Sequence, residues 1–192
     1  MSSQAKSLLT EAEYLELERH AEFKSEYFRG EMVAMAGAGP RHAFIVTNLV
    51  MTLGQQLKQR PCRVGSSDLR LRITPAGLYT YPDVVVICGN VQLAEDQKDT
   101  VLNPTLIIEV LSDSTRDYDR GRKFQHYRTL ASVAEYLTVE QDSAHVERWA
   151  RQPDNHWLLS EFDALDQTIE LTSIGCVLPM AEIYDKVDFS AE

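Results

Sequence analysis

Two short apolar runs, each carrying one carboxylate, constrain this chain more than anything else in it. The first is Tyr81-Pro82-Asp83-Val84-Val85-Val86-Ile87. The second is Pro104-Thr105-Leu106-Ile107-Ile108-Glu109-Val110-Leu111. Runs this apolar and β-branched suit central strands covered on both faces, whereas a half-exposed strand alternates. A carboxylate inside such a strand is costly to bury unless it is paired or binds a cation. Asp83 and Glu109 on neighbouring strands suit one divalent ion. Mg²⁺ prefers oxygen ligands and usually takes one or two carboxylates from protein, with water and phosphate completing the shell. Lys123 lies on the helix expected after the Glu109 run. It reaches the acids if that helix packs beside the strand end, and it would then stabilise charge on a reacting phosphate. These parts predict phosphodiester hydrolysis that depends on Mg²⁺ or Mn²⁺.

Each residue also has a plain structural explanation. Asp83, after Pro82, can bind backbone amides at a strand start. Glu109 either faces solvent on an edge strand or is buried with a partner. Lys123 has Asp119 four residues before it, and periodicity alone favours a surface ion pair worth about 0.2–0.5 kcal/mol. Tyr127 lies on the same helical face as Lys123 and joins the candidate set. Glu31, after Gly30, is a candidate metal ligand or a hairpin surface acid. His42 opens a long helix and is a candidate proton shuttle or phosphate contact, or else a capping residue.

A net charge of −10 and a pI of about 5.0 argue against broad non-specific nucleic-acid binding, though not against a nuclease. Local basic clusters exist at Arg60, Arg63, Arg70 and Arg72, and at Arg116, Arg120, Arg122, Lys123 and Arg128. Both also read as solvated faces. No apolar run approaches the roughly 18 residues of a membrane span, and the first residues lack a signal core. The expectation is a cytoplasmic protein with no membrane partner. Cys62, Cys88 and Cys176 form no CxxC pair and read as buried thiols in a reducing compartment.

No repeat or linker divides the chain, so one domain is expected over 10–185, with flexible termini at 1–9 and 186–192. Thr10-Glu11-Ala12-Glu13 is a capping box opening a helix to about His20. Residues 25–35 read as a hairpin turning at Arg29-Gly30. Over 41–59, Phe44, Ile45, Leu49, Val50, Leu53 and Leu57 fall at helical spacing. Residues 68–73 alternate as a half-exposed strand, and 89–103 read as a polar connection with one helical turn. A helix is expected over 116–130 with Phe124, Tyr127 and Ala131 facing the core. Short strands follow at 135–139, 145–150, 157–161 and 168–171, and Pro179 starts a last short helix. Alternating helices and central strands followed by a run of strands give a mixed α/β fold with helices on a sheet.

Several blocks occur in one order. They are Glu26-Tyr27-Phe28-Arg29-Gly30-Glu31, Arg41-His42, Ser67-Asp68-Leu69-Arg70 and Tyr81-Pro82-Asp83-Val84. Then come Glu109-Val110-Leu111-Ser112-Asp113-Ser114-Thr115, Asp119-Arg120-Gly121-Arg122-Lys123-Phe124 with Tyr127, and Glu135-Tyr136-Leu137. Together, from about Thr10 to Tyr184, they resemble the Uma-type putative restriction-endonuclease family of bacteria, placed in the PD-(D/E)XK nuclease superfamily. The resemblance implies a restriction-endonuclease-like core: a central mixed β-sheet flanked by α-helices. It implies DNA as substrate, Asp83 and Glu109 as metal-binding acids, and Glu31 as the acid from the N-terminal part. A core of this type commonly acts as a homodimer. In the superfamily pattern a lysine stands two residues after the second acid; here that residue is Leu111, and Lys123 is the natural substitute. A non-catalytic binding module on this fold and a hydrolase of small phosphodiesters remain as alternatives.

Overall fold

The computed structural model of the chain describes residues 8–35, 37–95 and 97–190. Helix α1 (Glu11–His20) opens on the expected capping box, in which Glu13 Oε2 accepts from Thr10 N at 2.7 Å. Strands β1 (Ser25–Phe28) and β2 (Glu31–Ala34) form the expected hairpin. Its turn, Arg29-Gly30, has φ of 47° and 96°, the left-handed geometry a two-residue hairpin turn requires. Helix α2 (Pro40–Leu57) follows, with proline in its first turn, where no amide donor is missed. Next come β3 (Cys62–Ser66), β4 (Arg70–Ile73), β5 (Leu78–Thr80), β6 (Val84–Cys88), β7 (Leu93–Ala94), β8 (Gln97–Val101) and β9 (Leu106–Leu111). A continuous helical segment is built from α3 (Arg116–Tyr118), a π-helical turn (Asp119–Lys123) and α4 (Phe124–Tyr127). The chain ends with β10 (Glu135–Glu140), β11 (Val146–Arg151), β12 (Trp157–Phe162), β13 (Thr168–Leu171), β14 (Cys176–Pro179) and α5 (Met180–Ile183).

The central sheet has the order β12-β11-β10-β9-β6-β3 and is mixed: β9 and β10 run parallel, while the other neighbours are antiparallel. The two apolar runs are its β6 and β9, side by side and buried, as their composition requires. On one face, α2 packs Ile45, Leu49, Leu53 and Leu57 against Val84, Val86, Leu106, Ile108 and Val110. Each such side chain contributes about 1.5–3 kcal/mol on burial. On the other face, Val85, Ile87, Ile107 and Tyr136 meet Phe124 and Tyr127, together with Leu71, Ile73 and Leu78 of a second sheet. That sheet has the order β2-β1-β5-β4-β8-β7, and β13 and β14 form a separate hairpin. The fold is the expected mixed α/β core, a central mixed sheet with helices on it. No helix among the described residues is long and apolar enough to cross a membrane.

Several expectations are corrected. Phe44 is 57% exposed, because the buried stripe of α2 steps by four from Ile45 and leaves its preceding neighbour facing out. Residues 68–73 are not half-exposed: Arg70 is 4% exposed, its guanidinium held by Thr100, Tyr81 and Asp99. Residues 89–103 carry β7 and β8 with no helical turn among the described residues, and β8 pairs parallel with β4. The helix expected over 116–130 ends at Tyr127, and Ala131 is exposed. Cys62 and Cys88 are register partners on β3 and β6 and form a disulfide, so only Cys176 is a buried thiol. Of the ends expected to be flexible, 1–7 and 191–192 lie outside the described residues. Leu9 N donates to Gly30 O, and Val187 and Phe189 pack on the main core.

Candidate functional site

The register of β6 on β9 sets Val84 opposite Ile108, which brings the preceding Asp83 opposite Glu109 at one end of the central sheet. Asp83 N donates to Glu109 Oε2 at 3.3 Å, and Val110 N donates to Asp83 Oδ2 at 2.8 Å. The first turn of α2 brings His42 Nε2 to 3.1 Å from the same Asp83 Oδ2. Burial opposes protonation of His42, but the hydrogen bond and charge of Asp83 outweigh it and hold the imidazole pKa above its ordinary value.

The other side of the site comes from the π-helical turn. Lys123 Nζ lies 3.0 Å from Glu109 Oε1, 3.1 Å from Glu26 Oε1 and 3.3 Å from Asp119 Oδ1. Tyr127 OH donates to Glu109 Oε1 at 2.7 Å. The surface ion pair that periodicity favours for Asp119 and Lys123 is therefore a buried one, with the two residues 3% and 6% exposed. The extra residue per turn of a π-helix aims both side chains inward, and such turns recur at functional sites. Leu111 is buried two residues after Glu109 and carries no charge; the cation beside Glu109 arrives from the neighbouring helix instead.

The electrostatics are unbalanced. Three carboxyl groups (Glu26, Glu109 and Asp119) lie within 3.3 Å of one lysine, and Asp83 adjoins Glu109 with His42 as its partner. Burial pushes the Glu109 carboxyl up to about 8 against the pull of Lys123, and burial also raises Asp119. Burial opposes the charge on Lys123 too, but Glu109, Tyr127, Glu26 and Asp119 hold its pKa well above the ordinary lysine value. Asp119 Oδ1 is buried 3.3 Å from Lys123 Nζ, a longer contact than Glu109 or Glu26 makes to the same ammonium. An excess of carboxylate oxygens over cationic groups fits the donor chemistry of a hard divalent cation.

Of the residues predicted from sequence, Asp83, Glu109, Lys123, His42 and Tyr127 come together. Glu31 does not. It is exposed on β2, opposite Phe28 in the hairpin register, and the N-terminal acid that reaches the lysine is Glu26 on β1. Glu26 and Asp119 are the site residues that sequence reasoning missed. The available signals were the i,i+4 spacing of Asp119 to Lys123 and the position of Glu26 on an alternating strand. A separate group, His145, Glu147 and Glu161, places ligand atoms within 4.8 Å of one another. There Glu147 is already compensated by Arg120 and Thr138.

Comparison with known proteins follows the same lines. The model of the Uma2 family, described as a putative restriction endonuclease, matches residues 11–181. The uncharacterized protein sll1609 of Synechocystis sp. (strain PCC 6803) is 38% identical over 165 residues, covering 86% of this chain and 93% of its own. A second protein of that organism, slr1290, is 36% identical over 183 residues, covering 94% of each chain. A crystal structure of a putative nuclease belonging to DUF820 from Anabaena variabilis shares the fold. Its TM-score is 0.75 at 20% identity, over 92% of this chain and 97% of that one. The chain belongs to the Uma2 family of putative restriction endonucleases.

Proposed function

We propose that the chain is an endonuclease that hydrolyses DNA phosphodiester bonds with Mg²⁺ or Mn²⁺ held by Asp83 and Glu109. Family membership and fold support nuclease-type chemistry in general. One observation carries the finer reading: two acids stand opposite each other at a sheet end, with a buried lysine 3.0 Å from one of them. A divalent cation there supplies Lewis-acid polarisation of a phosphoryl oxygen and acidifies water. The chain's own groups do the rest. Val110 N and His42 orient Asp83, and Tyr127 orients Glu109. Lys123 supplies a fixed positive charge against the negative charge that builds in the transition state. His42 Nε2 holds or passes a proton beside Asp83. Cleavage of both strands of a duplex would use a homodimer, read by light scattering at working concentration.

The test combines calorimetric Mn²⁺ titration with cleavage of supercoiled plasmid, for wild type, Asp83→Ala and Glu109→Ala. The expected result is binding and cleavage by the wild type and loss of both in each variant. A wild type that neither binds Mn²⁺ nor cleaves DNA overturns the reading. The enclosure of Lys123 by three carboxylates favours a second reading, a non-catalytic DNA-binding module on the same fold. Duplex binding measured beside plasmid cleavage by the wild type separates the two, since a nuclease cuts the DNA it binds and a binder retains it uncut.

A further inference from the structure

The contact between β1 and the segment 119–127 has two rungs. On the inner rung, Glu26 meets Lys123. On the outer rung, Phe28, two residues along the same face of β1, packs on His126 with ring centroids 4.9 Å apart. The Arg29 guanidinium lies 5.2 Å from the centre of the Phe28 ring. Arg122, four residues before His126, shares its helical face. Both arginines are exposed, while Phe28 and His126 are half-buried. The base of Arg29 is fixed by the hairpin turn, by its N–H to Gly77 O at 3.3 Å, and by Nε to Ala76 O at 3.3 Å.

Seven arginines of this acidic chain are ion-paired with a carboxylate within 4 Å, and Arg60, Arg63 and Arg151 donate to backbone carbonyls instead. Among the described residues, neither Arg29 nor Arg122 has a carboxylate partner. Two uncompensated guanidinium groups flanking one imidazole, beside a candidate phosphodiester site, are complementary to an anion from outside the chain. The imidazole responds to them: burial lowers its pKa, Arg29 and Arg122 lower it further, and Glu26 opposes.

We propose that Arg29, Arg122 and His126 form a docking site for a backbone phosphate of DNA next to the scissile bond. This rests on the nuclease reading of the adjoining acids. The rungs are two strand residues apart, about 6.6 Å. That is of the order of the spacing between neighbouring phosphates on one strand, whose rise along the axis alone is roughly 3.4 Å per nucleotide. Planar guanidinium groups suit phosphate geometry, and a phosphate contact positions the duplex without reading its sequence.

The experiment measures binding of a fluorescein-labelled DNA duplex by anisotropy over a salt series, with Ca²⁺ in place of Mg²⁺. Wild type is compared with Arg29→Gln and Arg122→Gln, whose folding is checked by circular dichroism. Each lost phosphate contact should lower the slope of log affinity against log salt by about 0.9 and weaken binding about eightfold at 0.1 M salt. Mn²⁺ affinity should stay unchanged. As a second readout, the pKa of His126 in the wild type, followed by NMR of its ring proton, should rise when duplex is added. If the wild type binds and cleaves DNA while both variants keep its slope and His126 does not respond, the docking site is wrong and the nuclease reading stands. If the wild type neither binds nor cleaves DNA, both fall.

Discussion

Glu26 Oε1 lies 3.1 Å from Lys123 Nζ, so an acid from the second sheet closes the ion cluster at the end of the central sheet. Thr80 on β5 hydrogen-bonds the same Glu26 carboxylate, and Tyr118 contacts it from α3. The lysine is therefore the point where two sheets and a helix are tied together. Its stability role and its proposed chemical role rest on the same three contacts.

Replacing Lys123 by Met keeps most of the volume and removes the charge. Glu26, Glu109 and Asp119 are then left buried around no cation. Breaking a buried pair from one side costs about 3–5 kcal/mol. The unfolding free energy read from urea denaturation should fall by that amount, lowering the midpoint, and Mn²⁺ should restore part of the loss by binding the carboxylates left behind. An unchanged midpoint would show that the lysine does not compensate the acids in solution.

Tyr127 and Tyr136 offer a matched comparison. Tyr127 OH donates to the Glu109 carboxyl at 2.7 Å, and Tyr136 OH donates to the backbone oxygen of Asp119 at 3.0 Å. A bond to a charged acceptor is worth about 1.5–3 kcal/mol and a neutral one about 0.5–1.5. Above about pH 8, where Glu109 is ionised, Tyr127→Phe should therefore destabilise more than Tyr136→Phe, and it alone should weaken Mn²⁺ binding by freeing the Glu109 carboxyl to turn. Chemical denaturation and calorimetry read both effects, and the opposite ranking would count against the assignment.

The Cys62–Cys88 disulfide closes a loop with a sequence separation of 26. The chain-entropy model gives about 3.5 kcal/mol for a loop of that size. Thiol titration of the denatured, unreduced protein should find one reactive thiol, Cys176. Reduction should lower the unfolding midpoint. Three reactive thiols before reduction would remove the bond from the account.

The central sheet was legible because Val84-Val85-Val86-Ile87 and Leu106-Ile107-Ile108 leave no exposed face to a strand. The pairing of Asp83 with Glu109 followed from that. The second sheet was harder to see. Arg70 at a buried position and the polar run Gln97-Lys98-Asp99-Thr100 look solvated until tertiary contacts satisfy them: Asp99 and Thr100 are the partners that let Arg70 be buried. The same limit applies to Glu26 and Glu31. Both are hairpin acids in a resembling block and lie on one face of the hairpin; only the pairing of β1 with β5, which makes β1 an interior strand and leaves β2 at the sheet edge, separates them. The disulfide was illegible for a similar reason, since its two cysteines become neighbours only through the β3–β6 register. Lys123 was visible as a candidate, but its burial depends on a π-helical turn that 3.6-residue periodicity does not anticipate.

The elevated Glu109 carboxyl makes a signed prediction about pH. Burial raises it from the ordinary value of 4.5 to about 8. The folded state thus holds a proton that the unfolded chain has already released across that window. A group of this kind contributes stability that is fully present below about pH 4.5 and is lost as pH rises through about 8. Asp119 is raised by burial and acts in the same direction. Asp99 is lowered, because Arg70 outweighs its burial, so its contribution is lost only below its ordinary 3.8 and outside this window. Each unit of difference corresponds to about 1.4 kcal/mol. Unfolding free energy of the metal-free protein should therefore decline by at least about 1 kcal/mol between about pH 5.5 and about pH 8.5, relative to Glu109→Gln, whose amide cannot titrate. Saturating Mn²⁺ should flatten the wild-type curve, since a bound cation replaces the proton. Parallel curves for wild type and variant would mean that Glu109 is ionised throughout, its charge balanced by Lys123 alone. The carboxylate excess that motivates a metal site would then be no larger than one ion pair already absorbs.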